Sequence, residues 1–202
     1  LNKDCLGLAV NGGDDFYCVQ TLLDKLAEMK VQCIIRTHPY QGPIFLDQLK
    51  NYMKGKDWLT WSNSREEDLV DFFPKINALI AGNTSLHLEA ALAGIPTFYL
   101  EMRDEGHRPD YYGYVKNGIS TKLEQDFTFD ELRLAIENAD SIKRHQAIKN
   151  YSETYDTKWQ NREGELSALV IESIIKNKSL DTVFKQEEPC VYQSVLSISE
   201  DV

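Results

Sequence analysis

Gly82-Asn83-Thr84-Ser85, with Glu89 four residues beyond, is the grouping whose residue types and spacing best suit chemistry. An apolar run, Leu79-Ile80-Ala81, leads into it. A helix-like run follows, then Gly94-Ile95-Pro96 and the apolar Thr97-Phe98-Tyr99-Leu100. The order reads as strand, turn, helix, turn, strand. Small residues and hydroxyls therefore fall where a helix begins, and the free N–H groups and positive dipole end found there suit a phosphate. A spacing of four puts Ser85 and Glu89 on one helical face. A hydroxyl for phosphate and a carboxylate one turn deeper for a sugar diol make a nucleotide-binding pair.

A second candidate is His38, which follows an apolar run and precedes Pro39. The proline biases His38 toward an extended backbone, which sets its imidazole at the end of a strand. A histidine there can donate to a phosphate oxygen or polarise a leaving diphosphate. It can equally cap the strand end by bonding a nearby carbonyl. Arg36 points the same way if the strand continues, either as a phosphate clamp or, more plainly, as a salt-bridged strand end. Gly12 and Gly13 either let the backbone approach a ligand, with positive φ available, or make a tight turn. In the polar, aromatic loop after Leu100, His107 and Arg108, together with Asp110 and the tyrosines, are candidate contacts to a sugar or base. The plainer alternative is an exposed lid. His87, between Leu86 and Leu88, is expected to be partly buried or at the surface, and Glu66-Glu67 reads as solvated charge.

Several chemistries have no footing here. The glycines fit neither GxGxxG nor GxxxxGK[ST], and no GxSxG elbow is present. Cys5, Cys18, Cys33 and Cys190 form no CxxC pair and the histidines no HxxxH set, so no metal and no cofactor are expected. The cysteines read as reduced residues of a cytoplasmic protein.

The elements that must position these residues follow from periodicity. Cys5–Val10, Val31–Arg36, Trp58–Trp61, Ala78–Ala81 and Thr97–Leu100 read as strands, with Ile119–Thr121 a short last one. Phe16–Met29, Ile44–Met53, Glu66–Phe73, Phe129–Asn138 (capped by Thr128 or Asp130), Ser141–Tyr151 and Glu163–Lys176 read as helices. Nearly continuous apolar strands alternating with helices predict an α/β, Rossmann-like parallel sheet with helices on both faces. The expected organisation is a Rossmann-like nucleotide-binding domain over residues 1–140, helices over 141–176 that pack on it, and a tail over 177–202 of unassigned role. In such a sheet, ligands collect beyond the carboxyl ends of the strands. The four loops at Asn11-Gly12-Gly13, Thr37-His38-Pro39, Gly82–Ser85 and after Leu100 all leave such ends.

Composition sets bounds. The chain has 202 residues, 42% apolar and 27% charged, and a formal charge of −10. That balance disfavours nucleic acid as the main partner, because a phosphate backbone needs clustered Lys and Arg. One phosphorylated small molecule needs only local N–H groups and a cation or two. No apolar run reaches membrane-spanning length, so membrane association is expected to come from other parts or a partner. The first residue is Leu, which suggests a fragment or a processed chain.

Taken together, Arg36-Thr37-His38-Pro39 and Gly82-Asn83-Thr84-Ser85-(x)3-Glu89-Ala90-(x)3-Gly94-Ile95-Pro96 resemble the C-terminal, donor-binding half of a GT-B glycosyltransferase. The flavour is that of bacterial capsule and surface-polysaccharide transferases, including teichoic-acid polymerases and bacterial polysialyltransferases. Nonhydrolysing UDP-N-acetylglucosamine 2-epimerases have a similar Gly-Asn-Ser…Glu arrangement. Tyr155-Asp156-Thr157-Lys158-Trp159 and its surroundings resemble the terminal helices of such transferases. The resemblance covers residues 5–176.

It implies that Thr84, Ser85 and neighbouring amides hold the donor's phosphates. Glu89 would bind the ribose hydroxyls, and His38 would contact the diphosphate and help the nucleotide leave, without an essential metal. The implied donor is a nucleotide-sugar, UDP- or CMP/CDP-linked, and the acceptor a glycan or polysaccharide. The N-terminal lobe, which supplies acceptor binding and usually the catalytic base, would lie outside this chain. The chain alone is therefore expected to bind nucleotide weakly, with little turnover. The implied location is cytoplasmic, at the inner face of the membrane. An epimerase-like enzyme and a non-enzymatic Rossmann-like interaction module are the alternatives.

Overall fold

Five apolar segments leave little choice but to stack as a sheet covered on both sides. In the computed structural model, which describes residues 5–102, 109–152 and 154–178, they do so. The strands are β1 (Cys5–Ala9), β2 (Gln32–Thr37), β3 (Leu59–Asn63), β4 (Ala78–Ala81), β5 (Thr97–Tyr99) and the two-residue β6 (Thr121–Lys122). Their order is β3-β2-β1-β4-β5-β6, and every pairing is parallel. This is the Rossmann order, in which the chain reverses its direction of travel across the sheet between β1 and β4.

Alternation along β1 shows how both faces are filled. Leu6, Leu8 and Val10 join one core with Val19, Leu23 and Leu26 of α1 (Phe16–Glu28), Phe45 and Leu49 of α2 (Pro43–Met53) and Leu132 of α5 (Phe129–Glu137). Ala9 joins the opposite core with Phe72 of α3 (Leu69–Phe72), Ile76, Leu79, and Ala90 of α4 (Leu86–Leu92). Parallel strands buried on two faces are apolar along most of their length.

Local chemistry sets the helix ends. Asp15 caps α1, its side chain accepting from the Tyr17 N–H at 2.7 Å. Pro43 sits at the start of α2, where a missing N–H costs nothing. Thr128 and Glu131 form a reciprocal capping box on α5. Gly94, at φ +81°, ends α4 in the left-handed conformation that favours glycine.

Two expected elements differ. The helix expected over Glu66–Phe73 starts only at Leu69, because the Glu66 and Glu67 amides close a turn on the Asn63 carbonyl and Asp68 is extended. A 3-10 turn, Phe73–Lys75, then carries Pro74. The last strand lies at Thr121–Lys122 instead of Ile119–Thr121, since the Ile119 and Ser120 amides close a turn on the Tyr114 carbonyl. The described residues fall into two units that divide after Arg144. The second unit carries the end of α6 (Ser141–Tyr151) and α7 (Glu163–Ile175). Within it, Tyr155 Oη lies 3.1 Å from His145 Nδ1, and Lys149 pairs with Asp156 at 2.9 Å.

Gly7 lies in β1 where α3 and the 3-10 turn press on the sheet: a Cβ there would come within 2.6 Å of Ile76 Cδ1 and 3.2 Å of Phe72 Cζ. Gly7→Val is expected to cost about 1–3 kcal/mol through overpacking. Urea denaturation of the two chains measures it, and equal midpoints would contradict the packing described.

Candidate functional site

The switch point places a cleft of about 240 Å³ at the carboxyl edge of the sheet. Its lining includes Arg36 and His38 from the end of β2, Ser64 after β3, and Thr84, Ser85 and Glu89 from the β4–α4 junction. Five of the residues singled out in the sequence therefore share one cleft. They come from separate strands, and the parallel register brings them together.

His38 is half-buried, and the Tyr40 amide donates to its Nδ1 at 3.1 Å. An Nδ1 that accepts leaves the ring proton on Nε2, so the neutral imidazole presents a donor there. Gly12 is what gives the ring its place, because a Cβ on residue 12 would lie 3.0 Å from Nδ1. Gly12 and Gly13 do form a tight turn, and neither has positive φ. That turn is closed by the Asp14 carboxylate, which accepts from the Asn11 amide at 2.6 Å.

Arg36 is the salt-bridged strand end. Its buried guanidinium donates from Nη1 to Ser62 Oγ and from Nη2 to the Glu67 carbonyl, each at 2.8 Å. Nη1 lies 3.7 Å from the Glu67 carboxylate, and the group sits over the Phe72 ring. Burial lowers its pKa, and the carboxylates of Glu67, Asp68 and Glu89 oppose the shift. Glu67 corrects the expectation of solvated charge: its carboxylate accepts from Ser62 Oγ and Lys75 Nζ. Burial raises its pKa, but those two hydrogen bonds and the charges of Lys75 and Arg36 outweigh it, so the net shift is downward. A single Glu in a polar stretch carried no sign of this role, because its partners come from three other elements.

Ser85 and Glu89 do share a face, and the Ser85 hydroxyl donates to Glu89 Oε1 at 3.0 Å. Thr84 Oγ1 accepts weakly from the Leu86 amide at 3.4 Å, so its own proton remains to donate. Helix α4 has only seven residues, so its dipole is short and any attraction for an anion there rests on local donors. Gly82 is buried and Asn83 half-buried beneath these residues; neither lines the cleft. His107 and Arg108 lie outside the described residues.

His87 departs furthest from expectation. It is fully buried, with Nε2 at 2.9 Å from the Gly82 carbonyl and Nδ1 at 3.3 Å from Ser120 Oγ. Burial lowers its pKa to about 4, against the raising effects of the Gly82 and Ala81 carbonyls and of Asp110. Its neighbours Leu86 and Leu88 gave the only sequence signal, and they fit a surface stripe as well as a core. Among the described residues no cluster of His, Cys, Asp or Glu could hold a metal ion, and no helix is long and apolar enough to cross a membrane.

The fold is a Rossmann-like α/β lobe, and it is similar to lobes of several solved structures. A protein assigned as a UDP-N-acetylglucosamine 2-epimerase from Listeria monocytogenes matches with a TM-score of 0.50 and 17% identity, over 88% of this chain and 47% of that one. MnaA of S. aureus, in a structure with UDP, matches with a TM-score of 0.48 and 15% identity, over 86% and 47%. The calicheamicin glycosyltransferase CalG4 matches at 0.46 and 19%, over 74% and 38%. The chain thus spans less than half the length of each, and at these identities the likeness establishes the fold alone. The chain matches no protein-family model and no curated protein sequence.

The state of His87 sets a pH dependence. Its folded pKa of about 4 lies below the usual 6.5, so the unfolded chain binds the extra proton between those values. Stability from keeping His87 neutral is complete above pH 6.5 and falls as pH drops toward 4, by up to roughly 3 kcal/mol. Urea titrations at pH 7 and pH 4.5 should show a larger loss for the wild-type chain than for His87→Gln. Equal losses would mean that His87 is not the buried neutral group described.

Proposed function

We propose that this chain is the donor-binding lobe of a glycosyltransferase, which takes a UDP- or CMP/CDP-linked sugar for transfer to a glycan or polysaccharide acceptor. The observation that carries the reading is the cleft itself: one concavity at the switch point holds His38, Thr84, Ser85 and Glu89. The Thr84 hydroxyl and the amides around Ser85 would hold the donor's phosphates. Glu89, with Oε1 already accepting from Ser85, would take the ribose hydroxyls on its carboxylate.

In transfer, the bond between the anomeric carbon and the phosphate oxygen breaks, and the leaving nucleotide, a diphosphate from a UDP- or CDP-linked donor and a monophosphate from a CMP-linked one, keeps the electron pair. His38 Nε2–H would donate to that oxygen as its charge grows, where a positioned donor lowers the barrier most. Deprotonation of the acceptor hydroxyl, and acceptor binding, are assigned to an N-terminal lobe outside this chain. Any attachment to the inner face of a membrane is likewise assigned to other parts or a partner. The lobe works in the cytoplasm on this reading.

Titration with UDP, CMP and CDP tests the proposal and names the base. Glu89→Ala and His38→Ala should each weaken the preferred nucleotide by about tenfold, the value of one charge-assisted hydrogen bond, with an unchanged circular dichroism spectrum. A 2′-deoxynucleotide should lose less in Glu89→Ala than in wild type. Unchanged affinity in both variants would sink the assignment. Epimerisation, the competing chemistry on this fold, would give product from a free UDP-sugar with no acceptor present.

A further inference from the structure

The amino edge of the sheet, opposite the donor cleft, carries a second cleft of about 350 Å³. It opens where β5 and β6 begin, beside the short connection from α5 to α6. Pro96, Phe98, Ile119, Ala135 and Ala139 give it an apolar lining, and all of its residues belong to the first unit. Arg144, Lys143 and Asp140 bring charge to it, and Asn138 and Thr121 bring an amide and a hydroxyl. The Thr97 hydroxyl is already used, donating to the Ile119 carbonyl at 3.1 Å. A cleft of this volume, mostly apolar with a few polar groups, has the build of a small-molecule site.

Arg144 is the member that asks for a ligand. It is half-buried, and its Nη2 donates to the Gly94 carbonyl at 2.9 Å. Among the described residues its other N–H groups have no partner and no carboxylate forms an ion pair with it. Asp140 acts on it through charge, while burial lowers its pKa. A guanidinium that has lost part of its water and gained no counter-ion is ready for an incoming anion. Lys143 adds a second positive charge at the rim, 87% exposed and 3.7 Å from Asp140. The first amides of α6 are not the attraction, since Ile142 and Lys143 already donate theirs to Asp140 Oδ1 at 2.9 and 3.1 Å.

The lining therefore carries two positive charges, Lys143 and Arg144, and one negative, Asp140, a net of +1. That sum suits a singly charged anion, whereas a phosphate dianion would meet the repulsion of Asp140 with too little to offset it. We propose that this cleft binds a small monocarboxylate with an apolar body: the carboxylate meets the remaining donors of Arg144, and the body lies on Pro96, Ile119 and Ala135. The site is separate from the donor cleft and does not depend on the nucleotide reading.

Amide NMR of the 202-residue chain tests it, with phenylacetate and hexanoate as probes and phenylacetamide as the uncharged match of the first. The two acids should move the cross-peaks of residues 118–121 and 138–144 with a Kd of order millimolar, which is what about ten heavy atoms supply. Phenylacetamide should bind about tenfold more weakly, and inorganic phosphate should move the same peaks less than either acid. Arg144→Gln, which keeps a donor for the Gly94 carbonyl, should weaken phenylacetate about tenfold. Lys143→Glu turns the net charge of the lining to −1 at an exposed side chain, and should weaken it about fivefold without disturbing the fold. The proposal falls if neither acid moves those peaks, if phenylacetamide matches phenylacetate, or if phosphate binds at least as tightly. It falls too if the shifts gather at His38 and residues 84–89, which would put the anion in the other cleft. If Arg144→Gln does not fold, Lys143→Glu decides, and unchanged affinity there refutes the site.

Discussion

Everything at the carboxyl edge follows from the pairing of β1 with β4. These two strands lie side by side, Leu6 opposite Ala78 and Ala9 opposite Ala81, yet the chain leaves them in opposite directions. One exit leads to α1 on the first face and the other to α4 on the second, so no connection crosses the gap between them. A parallel sheet must be covered on both faces, but its edge at this point cannot be. The cleft is a by-product of topology, and the side chains around it have only to be of the right kind.

The polar groups near that edge divide by how much of their hydrogen-bonding capacity is already used. Arg36, in the cleft wall, bonds Ser62 and Glu67, and His87 is held between Gly82 and Ser120. A buried polar atom without a partner costs as much as a lost hydrogen bond, so these groups have little to offer a ligand. His38 and Glu89, half-buried, keep unspent capacity at Nε2 and on the carboxylate. Prior hydrogen bonding thus separates the residues that shape the wall from those with capacity left, although both are equally polar in the sequence.

That division explains what could be read beforehand. The strands and most helices were legible because the sheet buries long apolar runs and each helix a stripe, as at Ala78–Ala81 and Phe16–Glu28. The grouping of His38, Thr84, Ser85 and Glu89 was legible because a parallel sheet sends all such loops to one edge. Glu67 and His87 were not, since their roles depend on partners far away in sequence: Arg36 for one, Ser120 for the other. The late start of α3 was hidden for the same reason, as Glu67 is held in a tertiary network that outweighs its helical propensity.

The pairing of β1 with β4 also governs when the site can exist. Leu6 meets Ala78 only after some seventy intervening residues have closed into a loop, and the entropy of that closure is met before the contact gives anything back. The β1–β2 pairing spans a much shorter stretch and can form first. A growing or refolding chain therefore holds His38 on a local β1–α1–β2 unit well before Thr84 and Glu89 arrive. Ligand capacity should appear as one late step that coincides with docking of β4, and a truncation ending before Ala81 would retain half a sheet but lose the wall of the cleft that carries Thr84, Ser85 and Glu89.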